Sequence, residues 1–243
     1  MKRKWFIPVI LAISFTLYGI HAWYEIGRHQ DKLWLHRCNS IEKMEEKEDN
    51  YENVEVDLVY RGDGIFDVTH DAETSFNLHI DSYLKEIGED NGHLWLDIKN
   101  ITPSNYHEMN DDLDSLCQIY HVDKDQLIIE GSNIEGLSYF TEDQYYTSYY
   151  VPFDKPSRLS DEEIDECIDS LQTVADSKKV KAISFPGWWY NDIKDDLNRP
   201  IDLLTWKHRT TQWEFFMSPI HYRMMNDPQL KVILIKSKGK YHR

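Results

Sequence analysis

The sequence predicts an α/β chain folded as a compact (β/α)8 TIM barrel, preceded by an N-terminal hydrophobic helix. Three observations predict it. Eight short apolar runs recur along the chain with helical or loop segments between them, as parallel strands joined by crossovers require. The 243 residues suit one barrel of roughly 250 residues. The Gly-rich turn that follows the first strand of a nucleotide-binding open sheet is missing from a chain with only 10 glycines, which leaves the doubly wound sheet as the second choice.

The first 24 residues stand apart. Met1-Lys2-Arg3-Lys4 is basic, and WFIPVILAISFTLYGIHAWY (5–24) contains no Asp, Glu, Lys or Arg and one histidine, His21. About 20 apolar residues can cross a bilayer, and the basic flank puts the N-terminus inside and the following domain outside. We therefore expect residues 1–24 to be a signal-anchor and residues 25–243 a membrane-anchored barrel outside the cytoplasm. The alternative is a cleaved signal peptide that leaves a secreted or periplasmic domain. Cleavage would fall at Ala22, but Ile20 is not the small residue such sites carry two positions earlier.

The expected strands are LWLH (33–36), NVEVDLVY (53–60), LWLDIKN (94–100), QLIIEG (126–131), TSYYVPF (147–153), VKAISFPG (180–187), IDLLTW (201–206) and LKVILIKS (230–237). Helices are expected in SIEKMEEKED, HIDSYLKEIGED, SNYHEMNDDLDSLCQIY, SDEEIDECIDSLQTVADS and around TQWEFFMSPIHYRMM. Ser160 with Glu163 has the form of a capping box; Ser40 with Lys43 does not. The segment YRGDGIFDVTHD (60–71) turns at its glycines and returns as a brief strand, a hairpin-like excursion that brings His70 and Asp71 over the barrel rim.

A net charge of −16 excludes nucleic acid as a partner and requires any phosphate site to supply its own positive charge. Three cysteines, Cys38, Cys117 and Cys167, form no disulfide framework and no zinc-finger spacing.

Alternate residues of a strand share a face. In VEVDLV, Val54, Val56 and Leu58 point one way, Glu55 and Asp57 the other. In LWLDIK, Leu94, Leu96 and Ile98 oppose Trp95, Asp97 and Lys99, and in LWLH, Trp34 and His36 share a face. The outer face of a barrel packs on helices and must be apolar, so the acidic residues turn inward, toward the strand C-termini where barrel active sites lie. Three converging carboxylates repel one another and resist burial. One divalent cation, Mg2+ or Ca2+, would resolve this, because an all-carboxylate set favours hard ions over zinc. Glu55, Asp57 and Asp97 are the expected metal ligands, with Lys99 beside them. His36 and His70 flank the site as an acid/base pair, and Asp71 is placed to orient His70 or another neighbour. Arg37, Lys99, Glu130 and Trp206 are candidate substrate or phosphate contacts, and Trp206 with PGWWY (186–190) a candidate apolar or sugar-facing mouth, with barrel core and helix packing an equal reading for two of the three Trp residues. Alone, an acidic i, i+2 pair is ordinarily a solvated face; the order of the four motifs sets it apart.

That order, HR (36–37), EVD (55–57), HD (70–71) and DIK (97–99), resembles the glycerophosphodiester phosphodiesterase superfamily of phospholipase-C-like barrels. The likeness covers residues 33–100; beyond them it rests on strand count and Trp206. The resemblance implies that His36 and His70 are catalytic, that Glu55, Asp57 and Asp97 hold the ion, and that Lys99 binds phosphate. Cys38 stands where a glycine is usual, Asp97 where a glutamate is usual, and the insertion that often follows the His-Asp segment is missing. With His36, Asn39, Ser40, Thr205 and Trp206, these departures look closer to the sphingomyelinase D-like and menorin-like branch.

The expected function is a metal-dependent phosphoric diester hydrolase, or diester-cyclising lyase, acting on a glycerophosphodiester or a phospholipid-type substrate. Its partners would be a small-molecule or lipid phosphodiester and the membrane. Two other readings stand beside it: a catalytically weak barrel that binds a phosphate ligand or a protein, and a glycoside hydrolase using Glu130 with Asp97.

Overall fold

The computed structural model describes residues 6–90, 92–206, 211–218 and 220–237. Lys2, Arg3 and Lys4, the flank that orients the predicted anchor, lie outside them.

Nine strands form one sheet: β1 (Leu33–Leu35), β2 (Val54–Tyr60), β3 (Phe66–Val68), β4 (Leu94–Ile98), β5 (Leu127–Gly131), β6 (Tyr146–Tyr150), β7 (Ala182–Pro186), β8 (Asp202–Trp206) and β9 (Leu230–Ile235). The helices are α1 (Phe6–Arg28), α2 (Ile41–Lys47), α3 (Asp81–Asp90), α4 (Tyr106–Tyr120), α5 (Ile134–Glu142), α6 (Asp161–Ser177), α7 (Tyr190–Asp196), α8 (Gln212–Phe216) and α9 (His221–Met225). Eight strands run parallel in the order β1-β9-β8-β7-β6-β5-β4-β2, and a β1–β2 pairing closes them into a (β/α)8 barrel. β3 is the expected excursion, antiparallel on β2 with Tyr60 opposite Phe66 and Leu58 opposite Val68. The closing seam is thin: Leu35 with Val54 is its one registered pair.

The period-two pattern divides the core into two layers. Trp34, Trp95, Ile128, Ala182, Leu204 and Val232 fill the barrel interior. Val54, Val56, Leu58, Leu94, Leu96 and Ile98 face outward into the larger cluster beneath the helices. Apolar burial in both layers drives closure.

Local chemistry sets the helix ends. Ser160 Oγ accepts the Glu163 amide at 3.3 Å and Glu163 accepts the Ser160 amide at 2.8 Å, the capping box expected for α6. α4 and α6 end on left-handed His121 and Lys178. Gly88 lets α3 approach α4 so closely that a Cβ there would collide with the carbonyl oxygen of Tyr120. The last predicted helix is divided into α8 and α9.

α1 runs unbroken from Phe6 to Arg28, long and apolar enough to cross a membrane. Every described residue from Ile7 to Leu17 is exposed. Tyr18 and Gly19 are half-buried, and Ala22, Glu25 and Ile26 are buried, one helical face that docks on α8 and α9. Cys38, Cys117 and Cys167 are all free thiols.

Candidate active site

The strand C-termini open into a cavity of about 110 Å³ lined by His36, Arg37, Glu55, His70, Asp97, Lys99, Glu130, Tyr150, Trp206, Leu234 and Lys236. Eight of the nine predicted site residues therefore meet around one space. The ninth, Asp57, lies beneath it, 1 % exposed, and reaches the site through Lys99 and Asn39.

Strand register brings the acids together. Asp57 lies opposite Asp97 on β4, and Asp97 opposite Glu130 on β5. Glu55, Asp57 and Asp97 each present an oxygen, all within 4.8 Å of one another. Lys99 follows β4 with its amide on Leu58 O at 2.9 Å, and its ammonium pairs with Asp57 at 2.5 Å and with Asp97. Arg37 Nε also lies 3.7 Å from Asp57 Oδ2, so one ammonium and one half-exposed guanidinium face three acids, and their ionisation behaviour follows. Burial, reinforced by Asp57 and Asp97, holds Glu55 well above the ordinary carboxylate range. Burial likewise raises Asp97, against the pull of Lys99. Asp57 is also buried, but the charge and hydrogen bond of Lys99 and the Asn39 amide outweigh that cost and lower it. This clustered, oxygen-only donor set with excess negative charge fits a hard divalent cation.

The corner after β1 is built tightly. Arg37 adopts a left-handed φ of 51°, unfavourable for a residue with a Cβ, and its amide donates to Glu55 Oε2 at 2.6 Å. The Cys38 amide donates to Glu55 O at 2.7 Å. Asn39 donates to Asp57 Oδ2 at 2.8 Å and accepts the Asp57 amide at 3.0 Å. Ser40 caps α2 by accepting the Lys43 amide at 3.1 Å. The Lys43 side chain, 1 % exposed, folds back and donates to His36 O at 2.9 Å and to Arg37 O at 2.7 Å. Lys43 and Tyr150 escaped the sequence reading: one resembled an exposed helix charge, the other a strand aromatic. Tyr150 stacks on Trp206 at 5.2 Å between ring centroids.

The two histidines differ. Burial, then the Arg37 charge, pushes His36 down to about 3, so its imidazole is neutral at physiological pH. Its Nε2 lies 3.8 Å from Glu55 Oε2. His70 is exposed at the rim of the same cavity, placed there by the Thr69 amide, which donates to Asp57 O at 3.0 Å. The Asp71 carboxylate accepts the Glu73 amide at 3.1 Å. Glu130 is 2 % exposed; it accepts from Trp95 Nε1 at 3.0 Å and from Ser184. Burial and Asp97 raise it well above the ordinary range. Of the PGWWY residues, Trp188 is exposed, whereas Trp189 is fully buried and donates to Asp154 O at 3.0 Å. Trp189 is therefore core, as the packing reading of this cluster has it, and Trp188 alone of the pair reaches the surface.

No protein-family model matches the chain, and no curated protein matches it by sequence. Solved structures do match its fold. A glycerophosphodiester phosphodiesterase from Parabacteroides distasonis superimposes with a TM-score of 0.56 at 16% identity, covering 84% of this chain and 92% of that one. A calcium-dependent phosphoinositol-specific phospholipase C from a Gram-negative Pseudomonas superimposes with a TM-score of 0.54 at 11% identity, covering 84% and 87%. At these identities what is shared is the fold, a closed eight-stranded (β/α)8 barrel.

Proposed function

We propose that this chain is a metal-dependent phosphoric diester hydrolase, or a diester-cyclising lyase, attached to a membrane through α1. One observation carries the reading: Glu55, Asp57 and Asp97 converge within 4.8 Å in a cavity whose walls also carry His36, His70, Arg37 and Lys99. Acids that close together suit an ion, and two imidazoles beside them suit proton transfer at a phosphorus centre. Glu55, Asp57 and Asp97 would hold Mg2+ or Ca2+, which would supply the positive charge that a phosphate requires.

The protein groups divide the remaining work. Arg37 and Lys99 bind and orient the phosphate, which this acidic chain needs placed cations to hold. Neutral His36 accepts the proton of the nucleophile, and His70 returns one to the leaving alkoxide. If the nucleophile is water, the products are a phosphomonoester and an alcohol. If it is a neighbouring substrate hydroxyl, the first product is a cyclic diester. Trp206, stacked on Tyr150, forms a flat wall of the mouth. A glycosidase has less support, because both Glu130 oxygens are engaged below the cavity by Trp95 and Ser184.

The test uses the full chain in detergent with glycerophosphocholine and lysophosphatidylcholine, followed by phosphorus NMR with Mg2+, Ca2+ or chelator. A new resonance that needs the ion is expected, and its shift separates monoester from cyclic product. His36→Ala should lose about 10²- to 10⁴-fold in turnover. Ion and diester binding by calorimetry without turnover would instead leave a binding module.

A further inference from the structure

We infer that α1 stays docked on the barrel flank and thereby holds the catalytic mouth against the bilayer it enters, so that the site works on diesters presented at a membrane surface. This deepens the proposed function and rests on it.

The direction of α1 carries the argument. Gln212 opens α8 after β8, whose last residue, Trp206, lines the cavity; it therefore marks the catalytic end of the flank. Asn226 follows α9 and leads into β9, marking the opposite end. α1 meets these elements in step. Asn226 donates to Glu25 at 3.1 Å, and the His21 and Tyr222 rings lie 5.5 Å apart. The Tyr18 hydroxyl donates to Ser218 O at 3.4 Å. Phe15 and Gly19 face Gln212 and Phe216 across an apolar groove of about 510 Å³. The helix thus descends the flank from the catalytic end, and its N-terminal turns rise past the catalytic rim.

Length then limits where the bilayer sits. Residues 6–14 precede the groove, a helix of about 14 Å at 1.5 Å per residue. That is about one leaflet of a hydrocarbon core of about 30 Å. Within the described residues, a docked α1 has little length with which to hold the rim away from the headgroups.

The rim itself suits such a surface. Beyond α1, five large apolar side chains are prominently exposed among the described residues. Three of them, Ile65, Phe76 and Trp188, lie on loops that follow β2, β3 and β7 at the catalytic end. Isolated exposed apolar residues need no explanation; here Ile65 and Phe76, each 39 % exposed, and Trp188, 38 % exposed, stand on opposite sides of the rim at the end from which an apolar helix emerges, so both sides offer apolar contact to lipid. The net charge of −16 favours a zwitterionic bilayer held by apolar contact.

The test places a nitroxide on the full chain in a Cys167→Ser background, at Ile10→Cys, Glu73→Cys or Gln118→Cys. All three native side chains are exposed; Glu73 lies on the catalytic-end loop and Gln118 near the opposite end of α4. With phosphatidylcholine vesicles, the label at 10 should gain oxygen accessibility and the label at 73 should lose access to a water-soluble nickel chelate. The label at 118 should keep that access. Insertion at 10 with unchanged access at 73 would show that α1 undocks and the barrel swings free, overturning the inference. No insertion at 10 would overturn it too. None of these readings depends on turnover, whereas hydrolysis of soluble glycerophosphocholine by the same samples reports on the phosphodiesterase reading by itself.

Discussion

At the scale of single residues, the acid cluster ties stability to pH. Glu55, Asp97 and Glu130 are raised by burial and by one another's charge. A carboxyl raised on folding holds its proton more tightly in the native state. Its stabilising contribution is full below the ordinary value near 4 and is lost as pH rises through the raised value. Asp57, lowered mainly by Lys99 against the cost of burial, acts only below the ordinary carboxylate value, whereas His36, pushed down to about 3 by burial, opposes the acids below about 6.5, where the unfolded imidazole gains a proton that the native one refuses. In chelator, the acid cluster should therefore make the melting temperature rise as pH falls toward the ordinary carboxylate value, with His36 working against that rise. Relief of surface charge adds to that rise, so the decisive comparison is Glu55→Gln, which should flatten the slope. An unchanged slope in that variant would refute the assignment. The sequence makes these acids legible because period two forces them inward. It hides Lys43, whose burial depends on a left-handed Arg37 that turns two carbonyls toward it, and nothing in local spacing announces that backbone.

At the scale of elements, strands read more clearly than helices. Each expected apolar run overlaps an observed strand, and GDG followed by IFDV gives the β3 excursion, because turn chemistry and alternation are local. The division between α8 and α9 and the docked face of α1 are set by tertiary packing. So is the contact of α3 with α4 at Gly88. Gly88→Ala should cost about 1–3 kcal/mol through overpacking, and at about 2–4 °C per kcal/mol for a chain of this size calorimetry would read it readily. A neutral substitution would mean that the two helices can separate without penalty.

For the whole molecule, one barrel was legible from strand count and length, whereas its thin closure was not, because register between distant strands leaves no local trace. Ion binding should stabilise the entire fold, since native protein offers the assembled acids and unfolded chain does not. At a free concentration 100 times Kd the gain is about 2.7 kcal/mol, a rise of about 5–10 °C in melting temperature at the same scaling. Scanning fluorimetry with Mg2+, Ca2+ and chelator measures it, and no rise with either ion would remove the metal from the proposed site.

The seam between β1 and β2 changes how mutagenesis must be interpreted. Only Leu35 and Val54 pair across it as strand residues. Much of the remaining bonding comes from the corner itself: Arg37 to the Glu55 carboxylate, Cys38 to the Glu55 carbonyl, and the reciprocal bonds of Asn39 with Asp57. The residues proposed to do chemistry are therefore also the stitches that keep the cylinder shut. An inactive Glu55 or Asp57 variant, taken alone, cannot distinguish a lost ligand from an opened wall. His70 stands outside the stitching on the exposed wall, which makes it the position where loss of activity bears most directly on chemistry.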